Sequence, residues 1–88
     1  MDVIFDIDGT LMDIQHRKQY VEQRPKDWDK FREATSDDKP KKEIFDIAKA
    51  MHRAGHNIII ASGRNLSQRA ITLKQLMGEG LVFRALYM

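Results

Sequence analysis

The sequence predicts an α/β domain built on a short parallel sheet, from three observations. Two brief apolar runs, Val3-Ile4-Phe5 and Ile58-Ile59-Ile60-Ala61, have no polar face and read as buried parallel strands. Segments with helical apolar spacing alternate with these runs along the chain. Each run ends in a polar turn containing glycine, Asp6-Ile7-Asp8-Gly9-Thr10 in one case and Ser62-Gly63-Arg64 in the other. A strand, crossover, helix, strand, helix, strand order implies parallel pairing through right-handed connections.

Residues 2–7 form the first expected strand. Residues 12–42 are polar and irregular, with a patchy helical pattern around Tyr20, Val21, Trp28 and Phe31. Arg24-Pro25-Lys26 and Lys39-Pro40-Lys41 punctuate this stretch, which reads as an insert or small cap. From Lys41 to Ala54, Ile44, Ile47, Ala48 and Met51 recur at helical spacing, and Gly55 follows as a C-terminal cap. Ile58 to Ala61 is the second strand. A helix starting near Leu66 or Ser67 presents Ala70, Leu73 and Leu76-Met77 and stops at Gly78 and Gly80. Leu81-Val82-Phe83 and Ala85-Leu86-Tyr87-Met88 suggest a third strand.

With 88 residues, positions 1–88 are expected to be a single domain. A chain of this size buries only roughly 60–65% of its unfolded surface, so its core is thin. Apolar residues make up 42% and charged residues 32%, ordinary for a globular protein, and the net charge of +2 does not by itself argue for nucleic-acid binding. The absence of cysteine excludes disulfides and thiolate metal sites. The N-terminus enters a strand at once and carries Asp2, Asp6 and Asp8, unlike a signal peptide. No apolar run approaches the ~20 residues of a membrane span. The expected location is cytoplasmic, with no membrane partner.

Side chains alternate along a strand, so Asp6 and Asp8 are expected to share a face where the first strand stops. Two acids held close repel unless a cation or a shared proton relieves them. The pair suits phosphoryl chemistry: a carboxylate nucleophile, a second acid for proton transfer, and Mg²⁺. A surface acidic turn or a calcium loop is the alternative. An EF-hand, however, has its glycine at the sixth position and a flanking helix, whereas this glycine comes earlier and follows a strand. Ligands of open α/β sheets sit at the carboxyl ends of strands, where Ser62-Gly63-Arg64 also falls. Ser62 can donate a hydroxyl, Gly63 permits close backbone approach, and Arg64 offers a planar fork of donors. A plain strand-to-loop turn with a solvated arginine is the competing account of that tripeptide.

The run Asp6-Ile7-Asp8-Gly9-Thr10-Leu11 after a hydrophobic strand resembles the first motif of the haloacid dehalogenase (HAD) superfamily. Ile58-Ile59-Ile60-Ala61-Ser62-Gly63-Arg64 resembles its second. Within that superfamily the sequence is most similar to the phosphatase domain of phage-type polynucleotide kinase/phosphatase. His16-Arg17, Asp27-Trp28 and Thr72-Leu73 add to that likeness. The resemblance implies a HAD-like Rossmannoid fold of three α/β/α layers, truncated to about three parallel strands with two main helices and the insert 12–42. It implies that Asp6 attacks phosphorus to form an aspartyl-phosphate, and that Asp8 protonates the leaving alcohol and then activates water. The Asp6 carboxylate and the Asp8 backbone carbonyl would hold Mg²⁺. Thr10, Ser62, Gly63 and Arg64 would bind phosphate or substrate, a nucleotide or a polynucleotide 3′-phosphate.

The likeness spans about the first half of such a domain. The family's third-motif lysine and fourth-motif acidic pair would follow the strand that ends at Met88, and Lys74 comes too early to stand for the lysine. The alternative expectation is therefore a catalytically incomplete, phage-type binding module. Residues 3–7 would then form an open apolar sheet edge, covered by another protein or by a second copy in a homodimer. His16, His52 and His56 have no zinc spacing and read as surface or capping residues. The mixed charges of residues 26–42 read as a solvated surface, with Trp28 as a packing anchor. The functional version of that segment is a substrate rim, with Trp28 or Phe31 stacking on a base.

Overall fold

In a computed structural model describing residues 1–88, the chain opens with β1 (Asp2–Phe5), β2 (Met12–Asp13), α1 (Gln15–Glu22) and α2 (Trp28–Glu33). It continues through β3 (Lys39–Pro40), α3 (Lys42–Arg53), β4 (Asn57–Ala61), α4 (Arg69–Gly78) and β5 (Ala85–Tyr87). Single 3-10 turns cover Ala34–Asp37 and Leu66–Gln68. The main sheet has the order β1-β4-β5, with both pairings parallel, as the α/β reading predicts. Val3 stands across from Ile58, Phe5 from Ile60 and Ile59 from Ala85.

One side of this sheet makes the core. Ile58 and Ile60 are buried with Phe45 and Ala48 from α3, Leu76 from α4, and Ile7, Leu11, Met12 and Leu81. Fully burying an isoleucine contributes about 1.5–3 kcal/mol, so the two β4 residues are a large share of what holds a small sheet together. The apolar runs predicted burial on both faces, and here the structure differs. Ile4 lies across from Ile59 and is 67% exposed, because α3 and α4 both pack into the cluster around Ile58 and Ile60.

Both core helices end in the same way. After α3, the Gly55 N–H donates to the His52 carbonyl and the His56 N–H to that of Met51, with Gly55 at φ 96°. After α4, Gly80 (φ 73°) donates to Met77 and Leu81 to Leu76. These are Schellman ends, in which glycine takes the left-handed conformation and the last carbonyls find donors. The second one corrects the expectation that Leu81-Val82-Phe83 is strand. Leu81 is spent on the helix end, where it packs in the core with Leu76, and the strand starts only at Ala85. Along α3, Ile47 is half exposed although its spacing predicts a core position, and Phe45 is buried with Ala48.

The insert is more regular than its sequence suggests. β2 and β3 pair antiparallel, Met12 across from Pro40 and Asp13 from Lys39, which ties off its base. Inside it α1 and α2 pack on each other. The Asp27 side chain accepts from the Lys30 N–H at 3.0 Å and caps α2. The hydrophobic period of α1 is faint because the residue it buries is an arginine, Arg17.

Candidate functional site

The turn after β1 is organised by one carbonyl. Ile7, fully buried, accepts at its backbone oxygen from the N–H groups of Thr10, Leu11 and Met12 at 2.9–3.1 Å. Gly9 donates back to the Met12 carbonyl and adopts φ 82°, which only glycine takes without strain. Lys41 fastens the turn from outside, its Nζ donating to the Gly9 carbonyl at 3.0 Å and its N–H to that of Leu11 at 2.8 Å. Ser62-Gly63-Arg64 leaves β4 at the same end of the sheet, adjacent to β1. The two motifs therefore meet at the carboxyl edge of paired strands.

The two acids of the first motif have different surroundings. Asp6 is exposed, and its Oδ1 accepts the N–H of Ile7 at 2.8 Å. Asp8 is engaged entirely through Oδ1. That atom accepts from Arg17 Nη2 at 3.0 Å, from Arg64 Nε at 3.0 Å and from Arg64 Nη2 at 2.8 Å. The strand ends at Phe5, so strict alternation does not extend to Asp8. No hydrogen bond joins Asp6 and Asp8, and the charges nearest to Asp8 are cationic.

Behind Asp8 lies a carboxylate that the sequence reading left among the solvated charges of the insert. The Asp38 side chain has 0% exposure and accepts from four donors. These are His16 Nε2 at 2.7 Å, Arg17 Nε at 2.8 Å, Arg17 Nη2 at 2.9 Å and Arg64 Nη2 at 3.2 Å. Two carboxylates and two guanidiniums thus form one largely buried cluster whose charges balance, with Asp8 its partly exposed member, the condition for ion pairs to survive desolvation. Arg17 also lies over the Phe31 ring, 4.4 Å from its centroid. Nothing local in the sequence marks Asp38. Arg17 is marked only as half of the His16-Arg17 pair.

The resemblance implies that Arg64 reaches phosphate or substrate. In the structure its five N–H donors all point inward: besides the bonds to Asp8 and Asp38, Nη1 donates to Thr72 Oγ1 at 3.0 Å and Gln75 Oε1 at 2.7 Å. Gln75 and Gln68 in turn donate to the Thr35 carbonyl and hydroxyl, at 2.8 and 2.7 Å, latching the insert to α4 and to the turn before it. Ser62 Oγ accepts the Arg64 N–H at 3.0 Å and keeps its hydroxyl proton for another acceptor. Gly63 is exposed, and a Cβ there would meet nothing within 4 Å. Thr10 is half-buried and gives its N–H to Ile7.

A cation at this edge would find oxygen donors of the right kind. Asp6 Oδ2 and the Asp8 carbonyl oxygen take no hydrogen bond within the chain. No group of three or more acidic or histidine side chains converges on one point. Mg²⁺ is commonly held by one or two carboxylates with water completing its octahedron, so these donors fit it. No helix is long and apolar enough to cross a membrane.

No curated protein and no solved structure gives a significant match to the chain. Residues 1–83, which include both motifs, the insert and the largely buried Asp8–Arg17–Asp38–Arg64 cluster, match the family described as the polynucleotide kinase PNKP phosphatase domain. The chain belongs to that family of HAD-like phosphatase domains.

Proposed function

We propose that the chain is a Mg²⁺-dependent phosphatase that hydrolyses a phosphate monoester, on a nucleotide or at a polynucleotide 3′ end, through an aspartyl-phosphate on Asp6. The carrying observation is the difference in surroundings between the two acids. Asp6 stands exposed at the end of β1, while Asp8 is clamped through one oxygen by Arg17 and Arg64. The clamp leaves Asp8 Oδ2 without a hydrogen bond within the chain, and this reading assigns proton transfer to that oxygen.

In the first step an Asp6 carboxylate oxygen attacks phosphorus, the bond from phosphorus to the leaving oxygen breaks, and Asp8 Oδ2 gives its proton to that oxygen. In the second, a water molecule loses a proton to Asp8 Oδ2 and attacks phosphorus. The Asp6–phosphorus link breaks, releasing inorganic phosphate and the Asp6 carboxylate. The Ser62 hydroxyl is the group offered to a phosphoryl oxygen. When bound between the Asp6 carboxylate and the Asp8 carbonyl, Mg²⁺ would offset the repulsion between the acid and the phosphate dianion. The deciding assay measures phosphate release with Mg²⁺ for the native chain and for Asp6→Asn. Loss of release in the variant supports the reading, and equal release in both overturns it.

A second reading, a binding module that associates through its sheet edge, is favoured by one observation. β1 pairs with β4 alone, and Ile4 on it is largely exposed. An unpaired strand bearing an apolar side chain is a template for another strand.

A further inference from the structure

A cavity of about 270 Å³ opens beside the charge cluster, and its only two apolar walls are aromatic, Trp28 and Phe31. Asp8, Arg17 and Arg64 line its inner side and Arg32 its outer side. Asp6 does not line it. The cavity thus adjoins the acid assigned to the leaving group and not the nucleophile, so what it receives is the alcohol side of the ester.

The aromatic wall is held in place and yet accessible. Phe31 is pinned by the Arg17 guanidinium on its ring face. Trp28 meets Phe31 edge to face, with centroids 5.8 Å apart and planes at 89°. That contact packs the indole on Phe31 while leaving it 50% exposed. Two cations flank it. Lys26 Nζ lies over one face of the Trp28 ring, 5.7 Å from its centroid, where an incoming base would displace it, and Arg32 makes one exposed contact, to Asp29. An immobilised aromatic face between lysine and arginine, next to a proton-transfer group, suits a planar base carried on an anionic backbone. Its size admits one ring system and not a duplex.

We infer that Trp28 is a specificity-determining platform on which the terminal base of a single-stranded, 3′-phosphorylated polynucleotide stacks while its phosphate reaches Asp6. This rests on the phosphatase reading for its orientation, but the stacking itself is testable without turnover. Trp28 is the sole tryptophan, so its fluorescence reports the platform directly. Titrating the native chain with an unphosphorylated trithymidylate is expected to quench that emission saturably, and the quenching weakens with salt as backbone phosphates release counterions. Absence of saturable quenching overturns the platform, whatever the chain catalyses.

The kinetic arm compares a 3′-phosphorylated trinucleotide with glycerol phosphate, which has no ring to stack. Trp28→Ala is expected to raise KM for the trinucleotide by about tenfold, the scale of one lost base–aromatic stack, with kcat nearly unchanged. Trp28→Phe recovers most of the loss, and KM for glycerol phosphate does not move in either variant. A uniform rise in KM for both substrates would show a structural role for Trp28 and overturn the inference. No hydrolysis of either ester, together with saturable quenching, would instead overturn the phosphatase reading and leave the platform standing.

Discussion

Arg64 donates twice to one oxygen of Asp8, from Nε at 3.0 Å and from Nη2 at 2.8 Å. A lone guanidinium would normally spread its fork over both oxygens of a carboxylate. Here the second oxygen stays free because Arg17 approaches the same Oδ1 from α1. The second-motif arginine therefore acts on the first-motif acid. It leaves Asp8 Oδ2 without a hydrogen bond within the chain.

Arg64→Lys keeps the charge and loses the fork. One ammonium cannot serve Asp8, Asp38, Thr72 and Gln75 together, so buried acceptors lose their partner, at about 1–3 kcal/mol of stability. Phosphate release should fall by about a hundredfold, the scale of a misplaced catalytic group. Steady-state kinetics beside urea denaturation will show whether the rate falls further than stability explains; an unchanged rate would remove Arg64 from the site.

Asp38→Asn tests the hidden carboxylate. It leaves two buried guanidiniums facing one partly exposed acid, and breaking such a pair costs about 3–5 kcal/mol. A lower urea midpoint at unchanged slope is the expected result. A stable variant with native activity would show that Asp38 does not hold Arg17 and Arg64 in place.

The two motif glycines should respond differently to alanine. Gly9 sits at φ 82° with open space around it, so Gly9→Ala meets only backbone strain, about 1–2 kcal/mol. Gly63 has neither a left-handed backbone nor a neighbour within 4 Å, and Gly63→Ala should be nearly neutral for folding. Thermal melts of both variants check this. A loss of activity in stable Gly63→Ala would show that substrate occupies the open space.

Chelation of divalent cations should bring phosphate release to background, and added Mg²⁺ should restore it. Release that persists in excess chelator would refute the metal dependence.

Ile4→Lys probes the open edge of β1. With a core otherwise untouched, stability should change by less than about 0.5 kcal/mol, as at surface positions generally. Light scattering should show that any concentration-dependent association of the native chain is weakened by the exposed charge on the edge strand. A native chain that stays monomeric at high concentration would remove the edge-pairing reading.

The fold was legible where one physical signal dominated. Ile58-Ile59-Ile60 and Val3-Ile4-Phe5 announced strands by apolar continuity, and Gly55 and Gly80 announced helix ends through their freedom at positive φ. The insert was illegible because its helices bury polar groups: Arg17 on α1, then Thr35 and Asp38 after α2. Periodicity counts apolar residues, and a buried ion cluster registers in it as surface.

Local chemistry in the chain was enough to establish two acid- and glycine-bearing turns at the ends of parallel strands, and with them the family. It could not establish which charges each acid would meet. Asp8, Arg17, Asp38 and Arg64 span 56 residues from Asp8 to Arg64, and only the β1–β4 pairing and the folded insert bring each carboxylate within 2.8–3.2 Å of both guanidiniums. Electrostatic partnership depends on distance in space, steeply so in a dry interior. A string of residues carries no record of that distance until the sheet closes.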